Sequence, residues 1–184
     1  IPGKGWKRMN VDGVTGVTGS GCSTTADAGK YAALKFTSDG KPVIVYQRDN
    51  GVFMAVATVA VTSTSLDTST WTCRAIVSGA NIRGEGIDLA LSSTNIPSIV
   101  HFDATSFQVR HVYSTYTASV AATITTGAFS AESIAGVGSS ITVSQKPDIE
   151  IGTDGTKWVT YYNATTQGLG LANKSTSASS WTTE

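Results

Sequence analysis

Charge is scarce in this chain. Only 14% of its 184 residues are Asp, Glu, Lys or Arg, against about 25% in an ordinary soluble domain. The 13 basic and 13 acidic residues also cancel. A neutral chain without a basic stripe has nothing to track a phosphate backbone, so nucleic acid is not an expected partner. Two cysteines, Cys22 and Cys73, are too few for a disulfide framework or a zinc site. They leave open one bridge or two buried thiols. No apolar run approaches the ~18 residues of a membrane span, and no cofactor motif is present. No segment carries a sustained helical period, and no signal peptide is visible. Ile1 rather than Met opens the chain, which reads as a processed or excised piece of something longer.

What fills the space is Ser, Thr and 19 Gly around a 40% hydrophobic remainder. That composition suits strands and tight turns, and the length suffices for one domain with a sizeable core. The order of residues says more. Thr37–Gly51 reads TSDGKPVIVYQRDNG, and its shape returns as SSTNIPSIVHFDATS from Ser92 and GTDGTKWVTYYNATT from Gly152. Before each copy stands a short apolar strand: AALKF, IDLAL or PDIEI. Asp39-Gly40, Thr94-Asn95 and Asp154-Gly155 supply turn residues that tolerate positive φ. A second strand (VIVYQ, SIVHF, WVTYY), a second turn and a third strand (VFMAVAT, FQVRHVYS, QGLGLANK) follow. An aromatic residue then opens a fourth strand at Trp71, Phe129 and Trp181.

The copies start 55 and then 60 residues apart. Four-stranded antiparallel units at this spacing are the blades of a β-propeller. A β-sandwich competes, but the return of one turn at one strand favours the propeller. The expected fold is therefore all-β: one domain over residues 1–184, with blades at about 31–78, 86–135 and 147–184. The stretch WKRMNV, residues 6–11, is left as an orphan outer strand. Three blades do not close a ring. A homo-oligomer in which residues 6–11 pair with a neighbour's last blade would close it, as a dimer of six blades or, with a trimeric fibre, as nine.

The units resemble bacterial and phage extracellular propeller repeats of the sialidase-like and lectin-like kind. The carriers are the Asp-Gly-x-Pro turn, the apolar strand and the Tyr-to-Asp strand end. The repeated Asp-box of true sialidases is absent, since Thr153-Asp154-Gly155-Thr156-Lys157-Trp158 is misspaced. The resemblance implies an extracellular or cell-surface recognition module, such as the tip of an adhesin or fibre.

Much of the scarce charge falls at one end of the expected blades. Tyr46, Arg48 and Asp49; His101 and Asp103; and Tyr161, Tyr162 and Asn163 close the second strands. Arg83, Glu85 and Asp88 lie at the entry to a first strand. Aromatic rings beside Arg, Asp, Asn and Glu are what sugar recognition requires: the ring packs on the sugar's apolar face, and the polar groups take its hydroxyls. These eleven residues form the candidate ligand-binding set for a glycan or cell-surface target. The competing account makes Tyr46, His101 and Tyr161 core residues with local hydrogen bonds.

Catalysis is a second reading. Glu85, Asp88, Asp103 and Asp148 are carboxylates of the type a glycosidase pairs, but the five arginines (8, 48, 74, 83 and 110) share no register. A purely structural propeller is the third reading. His101 and His111 stand on adjacent strands without further ligands nearby, so no metal is expected.

Overall fold

The computed structural model describes residues 9–15, 17, 19–60, 70–78, 84–114, 129–138 and 146–184. Among them the chain is all-β, without a helix. No helix there is long and apolar enough to cross a membrane.

Twelve strands form three consecutive antiparallel meanders. The first runs β2 (Ala28–Phe36), β3 (Pro42–Arg48), β4 (Gly51–Ala57) and β5 (Trp71–Val77). The second runs β6 (Gly84–Leu91), β7 (Pro97–Asp103), β8 (Gln108–Ser114) and β9 (Phe129–Gly136). The third runs β10 (Asp148–Ile151), β11 (Lys157–Asn163), β12 (Gly168–Lys174) and β13 (Thr182–Thr183). A thirteenth strand, β1 (Gly19–Ser20), joins the first sheet beside β5 and runs parallel to it. The expected four-strand count is thus exceeded in the first sheet.

The repeated turn has one physical form. Thr37 N–H donates to Lys41 O, Ser92 N–H to Ile96 O and Gly152 N–H to Thr156 O, at 2.9, 3.0 and 2.8 Å. Gly40, Asn95 and Gly155 then sit at φ +78°, +63° and +82°, where glycine and asparagine are the cheapest residues. The turns also touch between sheets: Asn95 Oδ1 accepts from Ser38 N–H at 2.9 Å, and Asn95 Nδ2 donates to Ser38 Oγ at 2.9 Å. Equivalent hairpins therefore share an end of the molecule.

Two apolar layers hold the sheets together. Val43, Val45, Val52 and Met54 of the first sheet pack on Ile87, Leu89, Ile99 and Val112 of the second. Val100, Phe102, Val109 and Ile134 of the second pack with Ile149, Val159, Tyr161 and Ala172 of the third. The middle sheet is covered on both faces. This is why β7 is buried at every position and loses the alternation of a half-exposed strand. Each fully buried aliphatic side chain contributes about 1.5–3 kcal/mol. The first strands lie together, with β6 packed on both β2 and β10. Lys35 Nζ of the first sheet reaches Glu150 Oε1 of the third at 3.0 Å.

The two end sheets differ. The outer face of the first, with Tyr46, Ala55, Ala57, Trp71 and Cys73, is covered by Met9, Val11 and Cys22. Trp6, Lys7 and Arg8 lie outside the described residues, but Met9 and Asn10 are not in a strand and Met9 rests on its own chain's Trp71. Cys22 and Cys73 are joined in a disulfide that fixes this segment. At Gly21 a Cβ would meet Cys73 O at 2.2 Å, so only glycine allows the approach. The outer face of the third sheet carries exposed Trp158 and Leu169.

Candidate functional site

The β3–β4, β7–β8 and β11–β12 hairpins gather at one end of the sheets. The main chain confirms the gathering: Ala164 N–H donates to Val137 O, which places the third sheet's hairpin against the end of β9. Arg48, Asp49, Asp103, Tyr162 and Asn163 all lie at this end. Glu85 stands opposite Phe102 in the register of β6 with β7. Arg83 lies outside the described residues.

Most of these polar groups already have work inside the protein. The Tyr46 phenol donates to Asp12 Oδ2 at 2.6 Å, and burial first, then Asp12, holds its pKa well above the usual phenol value. Arg48 reaches Asp12 at 3.1 Å and Gly21 O at 3.1 Å, and it lies 3.6 Å over the Phe53 ring. Both residues anchor the amino-terminal segment to the first sheet. Asp49 takes φ +51° in its turn, and its carbonyl accepts from Gln47 Nε2 at 2.8 Å.

Asp103 and Asn163 do the same job one sheet apart. Each side chain accepts from two main-chain N–H groups within the turn that follows it: Thr105 and Ser106 for Asp103, Thr165 and Thr166 for Asn163. Burial raises the pKa of Asp103, but the bonds from Ser106, Thr105 and Arg110 outweigh it and leave the net shift downward. Asp88 lies within its strand rather than at the end, opposite Val100. It accepts from Lys146 Nζ at 3.0 Å and Ile149 N–H at 3.1 Å and so ties the second sheet to the third. Burial and then the Asp88 carboxylate raise the pKa of Asp148 beside it. His101 is fully buried, and burial lowers its pKa to about 4. Tyr161 is 5% exposed, with its ring against Gly170.

One part of the end is open. A cavity of about 360 Å³ is lined by Tyr161, Tyr162, Leu169, Thr160, Lys146 and Gln167, with Gly168 at its edge. It combines aromatic and aliphatic surface with an ammonium, an amide and a hydroxyl. Tyr161 and Tyr162 belong to the set read from the sequence. Gln167 does not, because the length of the β11–β12 turn decides where it falls. Gln167 takes φ +55°, as Phe107 (+54°) does in the second sheet, whereas the two-residue turn of the first sheet has no counterpart. Lys146 lies just before β10, at the entry to the first strand of the third sheet.

No protein-family model matches the chain, and no curated protein matches it.

Proposed function

We propose that the chain is a non-enzymatic carbohydrate-recognition module of β-propeller type, working outside the cell or at its surface. The observation that carries this reading is the open cavity at Tyr162. Tyr162 and Leu169 offer the apolar platform that a sugar face requires, and Lys146, Gln167 and Thr160 offer donors and acceptors for its hydroxyls.

The propeller arrangement is supported by three consecutive meanders whose first strands lie together. A non-catalytic role is supported by the state of the acidic and basic groups. Asp88 is taken up by Lys146 Nζ and Ile149 N–H, so it ties the second sheet to the third rather than standing free as a glycosidase carboxylate must. Arg48 and Arg110 are in separate ion pairs on different sheets, with Asp12 and Asp103.

A second copy of the chain packs on the outer face of the third sheet in this reading. Val100, Phe102 and Val109 of the second sheet are at most 4% exposed under the sheet that follows. Their equivalents in the third sheet are Thr160, Tyr162 and Leu169, and Leu169 is 83% exposed. A dimer is favoured over a trimer because six blades are a familiar ring. A neighbour there would deepen the cavity into a cleft between sheets.

A glycan array, followed by titration of the best binder against Tyr162→Ala, tests the reading. The expected result is binding that weakens at least about tenfold in the variant, the worth of one desolvated aromatic contact. An array without a binder would remove the carbohydrate reading and leave a structural scaffold.

A further inference from the structure

A second cavity lies between the second and third sheets, at the end opposite Tyr162. It has a volume of about 250 Å³, and His111, Tyr113, Glu132, Lys157, Lys174 and Ser98 are among its walls. Its chemistry is set by Glu132 on β9. Oε1 accepts from His111 Nδ1 at 2.9 Å and from Trp181 Nε1 at 2.9 Å, and Lys174 Nζ binds both oxygens at 3.0 and 2.8 Å. The bond from His111, with those from Lys174 and Trp181, lowers the carboxyl pKa to about 2 against the opposing effect of burial. Glu132 is therefore a carboxylate that only accepts.

That fixes the histidine. Nδ1 carries the proton that Glu132 receives. Burial lowers the pKa of the ring, against the pull of Glu132, so Nε2 is left as a bare lone pair. His111 is 2% exposed, held between Tyr113 and Trp181 with ring centroids 5.3 Å away on each side. Nε2 has no hydrogen-bond partner among the described residues. A buried acceptor without a donor is destabilising, so the site favours an occupant that can donate.

The charges do not balance either. Lys174 is neutralised by Glu132. Lys157 forms no ion pair among the described residues, and burial, then Lys174, lowers its pKa. The cavity thus has one ammonium to neutralise and one lone pair to satisfy. Its volume is below the roughly 300–1,000 Å³ of sites for drug-sized molecules, so the occupant is small.

We propose that this cavity binds a small hydroxy-carboxylate, with the carboxylate on Lys157 and a hydroxyl donating to His111 Nε2. A sugar acid has that pattern, either free or as the end of a glycan chain. The site shares no lining residue with the cavity at Tyr162, so the two readings stand or fall separately.

The test is calorimetric titration of the intact chain with glucuronate, methyl glucuronide, glucose and acetate. Glucuronate is expected to bind at least about tenfold more tightly than glucose, which lacks the carboxylate, or acetate, which lacks the hydroxyls. Equal binding by the methyl glycoside assigns the site to glycan ends, and its exclusion assigns it to the free acid. Lys157→Met should abolish the preference over glucose. In the unaltered protein, the ¹⁵N resonance of His111 Nε2 should shift on binding while that of His101 stays in place. Glucose moving the His111 resonance as glucuronate does, no binding by any of the four, or a still His111 resonance would overturn the proposal.

Discussion

Asp12 and Tyr46 are 34 residues apart in sequence and 2.6 Å apart in space, joined by a hydrogen bond from the phenol to the carboxylate. Asp12 also accepts from the main chain at Gly13 and Ser23 and pairs with Arg48, with its side chain only 3% exposed. Removing one partner from a buried charged cluster leaves the other uncompensated, at a cost of about 3–5 kcal/mol. Asp12→Ala is therefore expected to lower stability by an amount in that range. Urea unfolding reads the change. A loss below about 1 kcal/mol would mean that Asp12 holds nothing in place.

The Cys22–Cys73 bridge closes a loop across 51 residues of separation, and it secures the same segment as Asp12. By loop-closure entropy such a bond contributes about 4 kcal/mol. The Cys22→Ser/Cys73→Ser protein should unfold at correspondingly lower denaturant. Because both devices hold one segment, their effects should not add. Combining Asp12→Ala with loss of the bridge should show a coupling of about 0.5 kcal/mol or more in a double-mutant cycle. Simple additivity would show two independent anchors.

His101 sets the response to acid. Its pKa is about 4 in the fold against 6.5 for a free imidazole, because burial disfavours the charged ring. A depressed pKa means that the unfolded chain takes up the proton first. The stabilisation is complete above pH 6.5, is lost as the pH falls, and is gone below 4. The shift corresponds to about 3 kcal/mol. His111, also lowered, acts in the same direction, and Glu132 adds a separate loss between 4.5 and about 2. His101→Leu should remove most of the loss between pH 6.5 and 4 and spare the loss below it. An unchanged stability profile across that interval would place the titration elsewhere.

The strands were legible because the signal repeats. The turn hydrogen bonds at Thr37, Ser92 and Gly152 are local, so Asp-Gly and Asn at fixed offsets reveal them, and WTCRAIV is β5 from end to end. What the polar strand ends do is not local. Arg48 finds Asp12 only because the amino-terminal segment folds back, and the sequence of that segment carries no periodicity to show its path. Asp103 and Asn163 looked available for a ligand, yet their side chains satisfy the turns that follow them. Glu132 was invisible for the same reason. It gains its meaning from Lys174 of the third sheet and Trp181 just before that sheet's last strand, 42 and 49 residues further on.

Leu169 and Trp158 decide whether the third sheet has a neighbour. They are 83% and 43% exposed on a face whose counterparts in the other two sheets are covered. Apolar patches of more than a few hundred Å² are uncommon on monomers, and a stable interface buries at least about 1,000 Å². Self-association through this face should therefore appear in sedimentation at micromolar concentration. Leu169→Asp should weaken it at least about tenfold by placing an unpaired charge in the contact. The fold should be untouched, because the side chain packs on little within its own chain. A monomer at micromolar concentration, for the intact protein, would overturn the second-copy reading, and the cavity at Tyr162 would then stand open on the side where a fourth sheet had been placed.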